Sequence, residues 1–246
     1  EITLMAFELC CLAEVFGINC IGEDGKFSME IFLNACKFAS IYASIVSCIP
    51  PGNQYTDEVV SVNHRIGVSQ SGLFTLYDTL NRETYIEALE RGFHTIKLTC
   101  NKYVHDFCGV TPIAVSTVKP SGTISILAAS LAGVHPAIEN RYIMRRIRIG
   151  ANLPIAKALL QAGVPHEKSK SDGTVLIFLF PIDQGEARSA REVSMWEQCM
   201  MALEVQNKYS DNGVSLSLYF ERSTESDQLP QLIRFILPYV KGISFM

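Results

Sequence analysis

From residue 112 to the end, short β-type apolar runs take turns with amphipathic helical runs, and few architectures accept that alternation. The strand candidates are Pro112 to Val118, Arg141 to Ile149, Thr174 to Phe180, Val214 to Phe220 and Gly242 to Met246. Between them lie helix candidates at Thr123 to Leu131, Leu153 to Ala162 and Val193 to Tyr209, and a last stripe of Leu229, Leu232, Ile233, Ile236, Leu237 and Val240. Strands separated by helices pair in parallel through crossovers, so the fold class is α/β, an open sheet or a barrel. Upstream, Ser28 is placed to cap a helix reaching about Cys48, stopped by Pro50-Pro51-Gly52. A short strand follows at Arg65 to Val68, then a helix from Thr84 to Arg91 with Gly92 as its cap. No repeat, low-complexity tract or linker divides the chain, so residues 1–246 read as a single domain.

Composition narrows the function classes. Hydrophobic residues make up 48% and charged residues 19% of 246, enough apolar surface for a core and too little charge for disorder. A net charge of −4 supplies no basic field, so no direct nucleic-acid partner is expected. The longest purely apolar run, Val175 to Phe180, is too short to span a bilayer, and no export signal opens the chain. A cytoplasmic protein without a membrane partner is expected. The eight cysteines, at 10, 11, 20, 36, 48, 100, 108 and 199, include no Cys-x-x-Cys pair, so no metal site is expected. Most should be buried, reduced thiols that pack as small hydrophobes.

The stretch Thr117-Val118-Lys119-Pro120-Ser121-Gly122-Thr123-Ile124-Ser125 breaks a β-type run and starts a helical one. Such a junction presents backbone N–H groups and the positive end of a helix to an anion. Gly122 permits close approach, and Ser121, Thr123 and Ser125 add hydroxyl donors. Between Phe107 and Ile138 there is no Asp or Glu, and Lys119 is the only formal charge. The corner is neither a Walker loop nor a dinucleotide fingerprint. An ordinary capped helix start would look much the same.

This stretch, with Gly133-Val134-His135-Pro136 and Tyr142-Ile143-Met144-Arg145-Arg146-Ile147-Arg148, resembles the C-terminal part of the catalytic barrel of adenosylcobalamin-dependent (class II) ribonucleotide reductases. Lys119 and His135 tilt the likeness toward the monomeric ribonucleoside-triphosphate reductases. Arg65-Ile66-Gly67-Val68 and Lys241-Gly242-Ile243-Ser244-Phe245 look like further segments of the family. The resemblance implies the second half of a ten-stranded α/β barrel. It also implies reduction of ribonucleoside triphosphates to deoxyribonucleoside triphosphates through a thiyl radical started by adenosylcobalamin. The family's active-site loop ends in a Glu followed nine residues later by a Cys, as Glu1 is by Cys10. Glu1 then matches the carboxylate that takes the 3′-hydroxyl proton, and Cys10 one of two thiols that supply electrons and close to a disulfide. The radical cysteine would lie two residues before Glu1, and both ends read as edges of a longer protein, so the isolated chain is expected to be inactive. Pro120, Ser121, Gly122, Thr123 and Ser125 match the turn that holds substrate phosphate. Implied partners are a ribonucleoside triphosphate, thioredoxin or a similar dithiol, and the missing N-terminal half of the barrel; the whole protein would be monomeric. Cys10 should be more accessible and reactive than the structural cysteines. Cys11 should face the other way. His135 should shape its loop. The alternatives are a dimeric diphosphate reductase and the non-catalytic half of a split enzyme.

Overall fold

The computed structural model describes residues 2–139, 141–185 and 187–246. Backbone contacts cluster into two compact units, residues 1–138 with 188–246 and residues 139–187.

The larger unit opens with strand β1 (Cys11–Phe16) and helix α1 (Met29–Ser47), whose first turn is capped by the Ser28 side chain, which accepts from the Ile31 N–H. Helix α2 (Gln54–Asn63) leads into strand β2 (Ile66–Ser71), then come α3 (Leu73–Thr79) and α4 (Arg82–Cys108). β1 and β2 pair in parallel, Cys11 opposite Ile66 and Phe16 opposite Ser71. The extended residues 114–118 continue the ladder on β2, through Ile66 N–H to Ala114 carbonyl and Thr117 N–H to Val68 carbonyl. Residues 214–218 follow, with the Val118 N–H donating to Gly213 and the Ser215 N–H returning to Val118.

Helix α4 runs straight through Gly92, where the sequence predicts a cap. Gly92 is buried, and a Cβ there would meet the Phe32 ring at 3.1 Å. The missing side chain lets α4 lie close on α1, with Phe32 and Cys36 fully buried between them. Packing, not chain reversal, explains this glycine.

The corner helix α5 covers only Ile124–Leu127, much less than the predicted Thr123 to Leu131. It is cut short where Ala129 takes a left-handed φ of 49° and the Ser130 N–H turns back to Ser125.

The smaller unit departs from the parallel expectation. Strand β3 (Tyr142–Gly150), helix α6 (Pro154–Gln161), and strands β4 (His166–Lys168) and β5 (Val175–Asp183) form a sheet ordered β3-β5-β4. β5 is antiparallel to both neighbours, because the Ser169–Thr174 turn sends it straight back along β4. Most of β5 is half-buried. Arg146 pairs with Glu167 and Arg148 with Ser169 and Ser171, the surface role that strand arginines usually have.

The chain then returns to the larger unit with α7 (Met195–Lys208), β6 (Ser217–Leu218), α8 (Arg222–Glu225), α9 (Leu229–Ile236) and β7 (Ser244–Phe245). β7 pairs in parallel with β6, at the far end of the ladder from β1. The larger unit is thus an α/β layer of parallel extended segments backed by helices. Among the described residues there is neither a closed barrel nor a ten-stranded sheet.

Candidate functional site

Residues Met5 to Cys10 have no ladder of their own, and a carboxylate holds them in place. Glu8, whose side chain is fully buried, accepts from Met5 N–H at 2.7 Å, Asn63 Nδ2 at 2.9 Å and Arg65 Nε at 2.8 Å. Arg65 Nη1 continues to Asn212 Oδ1 at 3.0 Å. Burial pushes the Glu8 carboxyl up, but Arg65, Met5 and Asn63 more than offset it and leave its pKa below the ordinary value. The segment before Cys10 is therefore tied to the start of β2.

The Cys10 sulfur lies over Gly67. A Cβ on Gly67 would meet Leu12 Cδ2 at 2.7 Å, Thr117 Cγ2 at 2.9 Å and Cys10 Sγ at 3.2 Å. Glycine here clears room for the thiol, and the same contact sets Cys10 beside the strand that leads into the Pro120 corner. Alternation along β1 puts Cys10, Leu12 and Glu14 on one face of the ladder. Cys11 takes the opposite face, where it helps line a cavity of about 250 Å³ with Leu9, Ser47 and Val60.

Cys10 is more accessible than the buried Cys20, Cys36, Cys100 and Cys199, as the sequence suggests, but its acidity does not set it apart from them. Burial, then the neighbouring Cys11, push its pKa up to about 12, against the pull of Arg65 and Lys119. Cys36, in the core, is likewise at about 12. Cys10 at rest is a protonated thiol, suited to giving up hydrogen and poor as a nucleophile. All eight cysteines are free.

The Pro120 corner is an open turn anchored from behind. Pro120, Gly122 and Thr123 are exposed, Ser121 is half-exposed and Ser125 is buried. A Cβ at Gly122 would meet only the Pro120 carbonyl oxygen, at 3.8 Å, so nothing in the chain's own packing requires glycine there. Gly133 is the opposite case: at a φ of 53°, its Cβ would strike the Lys119 carbonyl oxygen at 2.7 Å. Its N–H donates to Ser71 Oγ at 2.9 Å, and the Lys119 N–H donates to Ser69 Oγ at 3.0 Å. His135 is placed structurally, as its sequence context suggests. Nδ1 faces the Ala132 carbonyl at 3.1 Å and must carry the proton, while Nε2 accepts from the Ser217 N–H at 3.0 Å.

Sequence reasoning missed one residue that joins the two halves of the site. Glu14 accepts from Ser71 Oγ at 2.6 Å, and the hydroxyls of Ser121 and Ser69 also stand against its carboxylate. Burial raises its pKa despite these hydroxyls. The corner's own stretch is free of acids, but β1 brings one in from across the ladder. The only sequence signal was the even spacing of Cys10, Leu12 and Glu14. The shortness of α5 also removes most of the expected helix dipole, and the Ser121, Gly122 and Ser125 N–H groups already donate to the Lys119, Pro120 and Ser121 carbonyls. Glu1 lies outside the described residues.

No family model matches the chain. Over its full length it is 32% identical to a probable adenosylcobalamin-dependent ribonucleoside-triphosphate reductase of Dictyostelium discoideum, covering 32% of that protein. It is also 32% identical over its full length to the adenosylcobalamin-dependent ribonucleoside-triphosphate reductase of Euglena gracilis, covering 33% of it. A crystal structure of a B12-dependent (class II) ribonucleotide reductase superposes on the whole chain with a TM-score of 0.79 at 26% identity, over 38% of that structure. The alpha subunit of an Actinobacillus ureae class Id ribonucleotide reductase shares the fold alone, with a TM-score of 0.55 and 14% identity over 96% of this chain and 49% of that one. The chain is homologous to about a third of the length of the adenosylcobalamin-dependent ribonucleoside-triphosphate reductases.

Proposed function

We propose that this chain carries the reducing thiol and the phosphate-holding turn of a ribonucleoside-triphosphate reductase. Its parallel ladder would be the second half of the ten-stranded barrel. The observation that carries this reading is the shared face: Cys10 lies over Gly67 against Thr117, and that strand runs directly into the Pro120 corner. A triphosphate at Ser121, Gly122, Thr123 and Ser125, drawing the N–H groups of Ser121, Gly122 and Ser125 away from the Lys119, Pro120 and Ser121 carbonyls, would lay its sugar back along the ladder toward Cys10.

In the reaction, the ribose 2′-hydroxyl leaves as water and is replaced by hydrogen. The two electrons come from two thiols, which close to a disulfide, and Cys10 is one of them. A thiol held protonated until substrate arrives fits that donor role. A dithiol of the thioredoxin kind resets the pair by exchange. With Cys10 as leaving group at a high pKa, that reset is slow unless the cleft changes around it. Glu1 is the proposed proton acceptor for the 3′-hydroxyl.

Adenosylcobalamin is the proposed radical source, as the relatives' names indicate. No residue of this chain is assigned to hold the cofactor, and no step is routed through it. The protein is proposed to work as a monomer in the reducing cytoplasm.

The test uses the chain within a protein of the relatives' full length, supplied with adenosylcobalamin, dithiol and ribonucleoside triphosphate. Cys10→Ser should abolish repeated turnover. Deoxynucleotide formation at the parent rate by that variant would refute the assignment.

A further inference from the structure

Beside the cavity that Cys11 lines, three helices of the larger unit end against one another. The α1 helix closes at Cys48 and α2 at His64, while Cys108 is the last residue of α4. A ring nitrogen of His64 and the sulfurs of Cys48 and Cys108 all lie within 4.8 Å of one another. We infer that Cys48, His64 and Cys108 form a zinc site that ties these three helix ends together. The inference stands apart from the reductase reading and uses none of its residues.

The donor set is two sulfurs and one imidazole, which selects a soft or borderline ion such as zinc over magnesium or calcium. The imidazole is already oriented. Its Nδ1 lies 3.0 Å from the Ser47 carbonyl, which can only accept, so Nδ1 carries the proton and Nε2 keeps its lone pair. Metal-bound histidines are held by this kind of second hydrogen bond. His64 is 4% exposed and sits in the left-handed region at a φ of 39°, uncommon for a residue other than glycine. The backbone there holds the ring between two thiols rather than turning it to water.

Size and field agree with the ion. Zinc with sulfur at about 2.3 Å and nitrogen at about 2.0 Å sets tetrahedral ligands roughly 3.5–3.8 Å apart. Closing from at most 4.8 Å takes about an ångström, within reach of small side-chain rotations. Three helix C-termini also turn their negative ends toward one place, which favours a cation. Cys48 is half-buried and Cys108 exposed, so the fourth position opens on the Cys108 side to water or an outside ligand. The spacing of 48, 64 and 108 follows no sequence motif because each ligand comes from a different helix.

The test is a zinc titration of the fully reduced chain against a chromophoric chelator, with total metal counted by mass spectrometry. One equivalent should bind and raise the melting temperature. Cys48→Ser, Cys108→Ser and His64→Asn should each weaken binding about 100-fold or more. Asparagine tolerates the left-handed backbone, so His64→Asn keeps the fold while removing the ring. Cobalt(II) in place of zinc should give thiolate charge-transfer absorption that halves in each cysteine variant. Without metal, the variants should match the parent in circular dichroism. Failure of the parent to bind zinc, unchanged affinity in the folded Cys48→Ser/Cys108→Ser double variant, or a Cys48–Cys108 disulfide that persists under reducing conditions would each overturn the inference.

Discussion

Replacing Glu8 with alanine probes the link between folding and the candidate thiol. The substitution strands three donors at once: Met5 N–H, Asn63 Nδ2 and Arg65 Nε. Arg65 is only 15% exposed at its side chain and would lose its one carboxylate partner at this site. Removing one member of a buried ion pair costs about 3–5 kcal/mol. Arg65 keeps its bond to Asn212 and some water, so the lower figure, about 3 kcal/mol, is expected. Urea unfolding at pH 7 measures it. The pKa of Glu8 is lowered on folding, so its contribution is present above the ordinary value of 4.5 and fades as pH falls through the folded value. The gap between parent and Glu8→Gln should therefore narrow below pH 4.5. Freed from its anchor, the Met5–Cys10 segment should also expose its thiol, and Cys10 should alkylate faster in Glu8→Ala. A loss below about 1 kcal/mol, with unchanged Cys10 labelling, would refute the view that Glu8 positions Cys10.

Other positions separate structure from ligand binding. Gly122→Ala meets only one atom, at 3.8 Å, so stability should stay within about 0.5 kcal/mol while triphosphate affinity falls; equal affinity by equilibrium dialysis would count against the turn as a phosphate site. Gly133→Ala combines a φ of 53° with a 2.7 Å clash and should cost more than about 2 kcal/mol in denaturant unfolding. With its pKa pushed up to about 12, Cys10 should label slowly with iodoacetamide at pH 8 and faster at each step toward pH 12. The raised pKa also means that the thiol's contribution to folding, intact below the ordinary 9, is lost as pH rises toward about 12.

Element types were largely readable in the chain, because apolar periodicity reports burial directly. The Ser28 cap, the Pro50 stop and the helix ending before Gly163 follow from local chemistry alone. What failed depends on partners distant in sequence. Gly92 reads as a helix end, and only the Phe32 ring across from it gives the reason for a glycine. β5 reads as parallel because α6 precedes it, yet the intervening β4 hairpin reverses it. In the candidate site, the Pro120 corner was legible as a motif. Glu14 and Glu8 were not, since their meaning lies in hydroxyls and a guanidinium that tertiary packing brings to them.

The central claim is that one nucleotide reaches both the Pro120 corner and Cys10. Titrating the chain with a ribonucleoside triphosphate, while following the backbone amide resonances of Ser121, Gly122 and Thr123 and the labelling rate of Cys10, tests it in one experiment. The account predicts that the amides shift and Cys10 labelling slows with the same dissociation constant, and that the unphosphorylated nucleoside does neither at equal concentration. Amide shifts at the corner with Cys10 labelling unchanged at saturation would contradict it.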